Sequence, residues 1–345
     1  MSAGSRPRYF FSSLTRISDL PERPFSVEPV SRRLWETGDY VVGEVLSSGR
    51  TSQVELANGR MTEVVEGDLL VGAFGVRYAT LEAVGGWQNI GMDRRMEALT
   101  GAGLLGISTS RSSLLPAMIS LSYKGHAVTG GEKLTMRRYV PPAPERALTL
   151  PVVLLTGTSM SAGKTTSARV IVRLLREAGL AVVGAKLTGA GRYRDVLAMQ
   201  DAGADHIFDF VDAGLPSTVV PEASYRKALR GLLSRISAAG GDVLVAEVGA
   251  SPLEPYNGAA AIEELGDRVR CTVLSASDPY AVNGVTTAFG GRPDLVTGLA
   301  TSTRAGIELV EKLSGIEALN VLDLDSLPRL RRVLSYALGF EAPPG

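Results

Sequence analysis

The chain has 345 residues, 45% hydrophobic and 21% charged, enough to bury a substantial core and to divide into two domains. Its 36 basic and 36 acidic residues cancel, which excludes the bulk electrostatic attraction that recruits nucleic acid or an anionic membrane. No stretch is apolar for the length of a bilayer span, the polar start 1–8 lacks the apolar core of a secretory signal, and the single cysteine, Cys271, cannot form an intrachain disulfide. A cytoplasmic location is therefore expected.

Residues 1–38 show no sustained apolar period and read as an irregular N-terminal arm. Over 39–140 short apolar runs alternate with turn residues, predicting a small β-barrel-like domain. Asn58-Gly59 between 53–56 and 61–65 marks one hairpin, and Gly130-Gly131 between 119–128 and 133–140 marks another. The run Gly101-Ala102-Gly103-Leu104-Leu105-Gly106 fits the spacing of a dinucleotide fingerprint, but it follows the charged stretch 92–100 with no buried-strand pattern. It reads as a flexible glycine turn. Residues 141–149 are a proline-rich linker.

From 150 to 345 strand and helix patterns alternate. Strands are expected at 152–155, 181–186, 243–246, 269–275, 295–300 and 319–322, with helices such as 222–238 and 304–313 between them. This pattern predicts an α/β domain with a mostly parallel sheet flanked by helices, where ligands bind beyond the carboxyl ends of the strands.

The run 152–166, Val-Val-Leu-Leu-Thr-Gly-Thr-Ser-Met-Ser-Ala-Gly-Lys-Thr-Thr, is an apolar strand feeding a glycine turn that opens a helix. A triphosphate needs successive backbone N–H groups on a side-chain-poor turn at a helix N-terminus, and this pattern supplies them. Gly157, Thr158, Ser159, Ser161, Ala162, Gly163, Lys164, Thr165 and Thr166 form the expected cradle, with Lys164 on the β/γ-phosphates and the Thr165 hydroxyl on Mg²⁺. The spacing between the glycines is five residues rather than the consensus four. Downstream, Ala168, Ile171, Val172 and Leu175 make an apolar helical stripe opposite Arg169, Arg173 and Arg176.

Two further strand ends carry chemistry. Lys186 and Thr188 close the second strand and are expected at the catalytic rim, with Lys186 a second cation for the γ-phosphoryl group; a lysine snorkelling to solvent is the alternative. Glu247 follows four apolar residues and fits a Mg²⁺ carboxylate. Asp195 is either a metal-shell or water-positioning carboxylate or an ordinary helix N-terminal residue. Ser251 and Asn257, on the loop after Glu247, are candidate substrate contacts, and 300–302 a candidate base contact. His126 and His206 are too isolated for a metal site or triad, and no Cys/His cluster suggests zinc.

The segment 157–165 resembles the P-loop of dethiobiotin synthetases, which share the Gly-Thr opening and the five-residue gap. Lys186 with Thr188-Gly189 is similar to their Lys-Pro-x-x-Ser-Gly segment, and Glu247-Val248-Gly249-Ala250 to their Glu-Gly-Ala-Gly. The resemblance implies a P-loop NTPase fold of the class shared with MinD and the cobyrinate amidases, with ATP and Mg²⁺ as cofactors. It also implies a phosphoryl held by Lys164 and Lys186, and a cation served by Thr165 and Glu247. Leu187 replaces the family's proline, Val248 its glycine, and the preceding β-domain has no counterpart, so the substrate does not carry over. No lysine stands at 158–160, unlike MinD-type members. A shorter likeness joins 247–258 to a two-domain P-loop family linked to D-glutamate N-acylation.

The resulting expectation is an ATP- and Mg²⁺-dependent ligase or kinase that activates a small carboxylate, carbamate or hydroxyl substrate. The alternatives are a nucleotide-dependent switch and an acyltransferase acting on an amino acid. A small-molecule partner is expected, neither nucleic acid nor membrane is, and a homodimer is left open.

Overall fold

Alternating apolar residues in the first part of the chain close into a ring of strands. The computed structural model describes residues 8–47 and 53–340, which fall into two units. In the first unit the ring consists of β1 (Tyr40–Ser47), β2 (Leu69–Phe74), β3 (Arg95–Thr100), β4 (Leu104–Arg111) and β5 (Ser120–Thr129). Strand β1 pairs antiparallel with β2 and β5, β3 pairs antiparallel with β5 and β4, and a parallel pairing of β4 with β2 closes the barrel. Inward residues such as Val41, Leu70, Phe74, Met96, Leu105 and Leu121 fill it. Closure requires Gly72, since a Cβ there would stand 2.3 Å from the Gly103 carbonyl oxygen.

Several expectations change here. The segment 1–38 is no irregular arm over its described part: Tyr9–Phe11 pairs parallel with β2, Ser26–Glu28 pairs antiparallel with β5, and Trp35 is buried in the barrel core. Aromatic side chains gave this segment an anchorage that the absence of periodicity concealed. The 53–55 and 61–63 strands form the Asn58-Gly59 hairpin, whereas after Gly130-Gly131 only Glu132–Lys133 pairs and the chain turns into a 3₁₀ segment at Met136–Tyr139. Residues 101–103 turn from β3 into β4 and 104–106 lie within β4, so the run leads into a strand and not a helix; the expectation of no buried strand over 92–100 fails, since β3 buries Met96, Ala98 and Leu99 despite its charged residues. The first unit also takes residues 190–194 and 210–219, which contiguous sequence boundaries did not foresee. Gly191 N–H donates to the Pro216 carbonyl at 3.1 Å, and Arg16 pairs with Asp212 at 2.8 Å.

The second unit is a six-stranded parallel sheet with helices on both faces. Its strands are β6 (Val152–Gly157), β7 (Val182–Thr188), β8 (His206–Asp209), β9 (Val243–Val248), β10 (Val269–Ser275) and β11 (Leu295–Thr297), in the order β8-β7-β9-β6-β10-β11. The helices are α1 (Lys164–Glu177), α2 (Tyr193–Asp201), α3 (Glu222–Ala239), α4 (Gly258–Leu265), α5 (Pro279–Phe289), α6 (Arg304–Ser314) and α7 (Leu327–Leu338). Alternation along the strands feeds two cores: Val153, Leu155 and Val273 pack with α1 and α7, while Leu274 and Val296 pack with α5 and α6. Cys271 is buried in the first of these, and burial pushes its thiol pKa up to about 12. Strand β8 escaped the sequence reading because it is short and only half-buried. The expected strand at 319–322 is absent; Ala318 makes a single isolated bridge to Val296, and Leu322 is exposed. No helix among the described residues is long and apolar enough to cross a membrane.

Ile171 is fully buried between α1 and the sheet. Ile171→Ala should destabilise the second unit by about 3 kcal/mol, read from the urea midpoint. An unchanged midpoint would contradict this packing.

Candidate functional site

All six residues of β6 are buried, and the strand lies between β9 and β10. At its carboxyl end the chain turns through 158–163 and enters α1 at Lys164. Gly163, the residue before the helix, has φ +108°, a left-handed conformation that side chains resist, and it offers no side-chain cap. The opening N–H groups of α1 are thereby left for a ligand. A Cβ on Gly157 would stand 2.8 Å from the Lys164 ammonium, so that glycine is needed for the lysine to fold across the strand end.

Lys164 is buried, and its Nζ donates to the Ser159 carbonyl at 2.7 Å and reaches that of Met160 at 3.5 Å. Burial pulls its pKa below the ordinary lysine range, against the opposing charge of Glu247. Ser277 N–H donates to the Thr158 hydroxyl at 3.0 Å, tying the loop to the end of β10. Ser161 is exposed, Ala162 is buried, and Thr166 is half-buried in the first turn of α1. Behind that turn Ser167 Oγ lies 2.9 Å from Thr297 Oγ1 and 3.4 Å from Ser275 Oγ, a buried hydroxyl cluster that satisfies itself.

Parallel register sets the remaining charges in a row. Leu155 pairs with Glu247, Glu247 with Lys186, and Lys186 with Asp209, so adjacent strands deliver alternating charge at one level of the sheet. Thr165 Oγ1 donates to Glu247 Oε2 at 3.2 Å, and Lys186 Nζ pairs with Asp195 Oδ2 at 2.5 Å. Burial raises the Glu247 pKa, with Lys186 and Lys164 opposing it. Burial disfavours the Lys186 ammonium, but Asp195, Glu247 and Asp209 outweigh that effect and its pKa is raised. Lys186 therefore does not snorkel to solvent; it is buried. Asp195 stands in the first turn of α2, as the helix N-terminal reading expects, and its carboxylate pairs with this lysine.

The other named residues are placed differently. The Thr188 hydroxyl is buried and donates to the Gly249 carbonyl at 3.2 Å. The Ser251 hydroxyl accepts from Leu253 N–H at 3.3 Å, and Asn257 Nδ2 donates to the Val220 carbonyl at 3.0 Å. These groups hold the loop after β9, in which Ala250 and Asn257 both have positive φ. Backbone strain of this kind concentrates at ligand sites. Thr301 Oγ1 donates to the Leu319 carbonyl at 2.8 Å, while Gly298 packs so closely on the loop that a Cβ would stand 2.2 Å from the Ala162 carbonyl oxygen. Asp209 and Glu254 were missed. Asp209 ends the unrecognised β8, and Glu254 binds Ser251 N–H at 2.8 Å while acting electrostatically on Lys164. His206 is exposed, and His126 is satisfied in the first unit between Tyr123 Oη at 2.6 Å and Asp39 Oδ2 at 3.2 Å.

Thr165 and Glu247 present hard oxygen donors beside the phosphate loop, a set that fits Mg²⁺ held by a hydroxyl, a carboxylate and phosphate oxygens. Among the described residues there is no group of three or more His, Cys, Asp or Glu that could hold a metal ion.

No family model and no curated relative matches this sequence. Among solved structures it is similar to chloroplast FtsY from Physcomitrella patens, at 16% identity over 59% of this chain and 68% of that one, with a TM-score of 0.35. It is similar to FtsY from Thermotoga maritima at 18% identity over 52% and 62%, TM-score 0.35, and to HypB from Helicobacter pylori in complex with nickel at 16% over 57% and 91%, TM-score 0.36. The chain thus spans 61 to 69% of the FtsY chains it matches. Similarity at that level carries no ligand, partner or activity across.

Phosphate oxygens placed against Lys164 Nζ should raise the pKa that burial has lowered. Triphosphate binding is expected to take up protons at alkaline pH and to weaken as pH rises through the pKa of the ligand-free lysine. Calorimetry in two buffers of different ionisation enthalpy checks this, and buffer-independent heats would separate Lys164 from the phosphates. Glu247→Gln should raise the Mg²⁺ concentration required for nucleotide binding about tenfold. An unaltered requirement would remove Glu247 from the cation shell.

Proposed function

We propose that this chain is a Mg²⁺-dependent P-loop NTPase working as a nucleotide-dependent switch, in which the γ-phosphate and Asp195 compete for Lys186. The observation that carries the reading is the buried Lys186–Asp195 pair, which links a strand end at the phosphate level to the first turn of α2. The opening N–H groups of α1 and the Lys164 ammonium would bind the phosphates. Mg²⁺, held by Thr165 and Glu247, would neutralise charge on the β- and γ-oxygens.

Water would attack the γ-phosphorus and the bond to the β,γ-bridging oxygen would break, giving nucleoside diphosphate and inorganic phosphate, with the water's proton passing to phosphate or solvent. Lys186 then has two anionic partners with different lifetimes. With triphosphate bound it shares its charge with the γ-phosphate and its hold on Asp195 weakens. After phosphate release the ion pair re-forms. A ligand shifts a conformational equilibrium only by its differential interaction with the two states, and this exchange of partners supplies one. ATP is the nucleotide implied by the family resemblance; no guanine-specifying motif is evident in the sequence.

A second reading, phosphoryl transfer to a small carboxylate, carbamate or hydroxyl acceptor, is supported by the strained loop after β9. That loop carries Ser251 and Glu254, and Glu254 acts electrostatically on Lys164. On this reading positioning and charge neutralisation supply the rate enhancement, with no protein nucleophile.

Phosphate release from Mg-ATP and Mg-GTP tests both readings. Lys164→Ala should lower cleavage about 100-fold, and a variant that retained turnover would refute the site. Asp195→Asn should raise the preference for triphosphate over diphosphate at least about fivefold, read by fluorescent nucleotide titration. A preference equal to the parent's sinks the competition for Lys186, and metabolite-dependent stoichiometric turnover would favour the transfer reading.

A further inference from the structure

The first two N–H groups of α2 are satisfied by a residue far upstream. Glu55 ends the short strand Gln53–Glu55 of the first unit and is only 2% exposed. Its Oε2 accepts from Tyr193 N–H and its Oε1 from Arg194 N–H, each at 2.8 Å, and Oε2 also accepts from Ser13 Oγ at 2.5 Å. Residues 55, 13, 193 and 194 all belong to that first unit. Opening N–H groups of a helix have no intrahelical acceptor, and the residue immediately before α2 is Arg192, whose guanidinium has none to offer. The negative charge also favours this end of the helix. Arg16 lies over the Tyr193 ring at 4.6 Å, which fixes the same turn from its outer side.

Asp195 follows directly in that turn and carries the carboxylate on Lys186. The first turn of α2 is therefore gripped twice, by Glu55 through two backbone N–H groups and by Lys186 through a side chain. A carboxylate that only stabilised an exposed helix end would not need to be buried with a third donor.

We propose that Glu55 is a positioning residue for the nucleotide site. It clamps the first turn of α2 so that Asp195, the next residue of that turn, is presented to Lys186. Glu55 touches neither nucleotide nor cation; it acts through Asp195. The inference rests on the switch reading above and names the device that regulates that site.

Glu55→Gln tests it in the full chain. One amide oxygen can accept from one of the two N–H groups, while the amide nitrogen faces the other, donor against donor. The variant should bind fluorescently labelled Mg-ATP within about threefold of the parent and cleave it at least about tenfold more slowly. Hydrogen exchange at 193–201 should lose the difference between ATP-bound and ADP-bound states that the parent shows. A pure helix-cap role predicts a lower melting temperature with unaltered turnover and an intact exchange difference, and that result overturns the proposal. If Glu55→Gln does not fold, the parent alone decides: Tyr193 and Arg194 amides equally protected with Mg-ATP and Mg-ADP overturn it. A parent that binds and cleaves nucleotide while Glu55→Gln matches it removes only Glu55. A parent that binds neither Mg-ATP nor Mg-GTP removes the nucleotide reading and this inference together.

Discussion

Parallel pairing of β7 with β9 and of β9 with β6 brings Lys186 beside Glu247 and Glu247 beside Leu155, immediately before the chain leaves β6 for the phosphate loop. Strand register thus delivers a cation and an anion to the same level without either choosing the other by sequence. Both are buried, and isolated buried charges are costly, so each is stable only while its neighbours answer it. Lys164, Thr165, Asp195 and Asp209 give that answer. Burial moves Glu247 upward and Lys164 downward against these neighbours, while for Lys186 burial is outweighed by Asp195, Glu247 and Asp209, which move it upward. A polyanion with its Mg²⁺ would redistribute these interactions, because it brings to the lysines the negative charge now shared among carboxylates.

Helix ends in this chain are used in contrasting ways. Asp278 accepts from two N–H groups at the start of α5, and Thr303 accepts from one at the start of α6. Glu55 performs this service for α2 from a distant part of the chain. At α1 the residue before the helix is a left-handed glycine with no side chain to offer the first turn. The starts of α3, α4 and α7 likewise lack a side-chain cap, and α1 is the one of these that begins with the buried Lys164. On the proposed reading, the uncapped first turn of α1, the folded-back Lys164 and the Thr165–Glu247 oxygen pair would together cradle phosphate with Mg²⁺.

Chain path gives the switch reading its physical content. Residues 190–194 and 210–219 follow β7 and β8, strands of the second unit, yet they pack within the first. Lys186 and Asp209 end those same strands. Any rearrangement of charge at these strand ends is only a few peptide bonds from segments whose contacts lie in the barrel unit. Within that unit His126 is held between Tyr123 and Asp39, and Trp35 packs against Phe74.

Local chemistry made much of this legible. The apolar run into Gly157, the Gly-Lys-Thr close and the stripe on α1 determined the strand, turn and helix of 152–177, because each depends on residues close in sequence. The Asn58-Gly59 hairpin and helices α3 and α6 were likewise determined, by turn chemistry and by a regular apolar period. Tertiary structure alone decided the rest. Residues 8–38 are anchored by aromatic contacts and strand pairing with distant partners, β8 is too short to show a period, and the chain at 317–319 meets the edge strand β11 only through a single bridge at Val296. The tie between Glu55 and α2 spans 138 residues. A glutamate in a short strand and an arginine before a helix carry no local sign of each other, since hydrogen bonding depends on proximity in space, which only the folded chain creates.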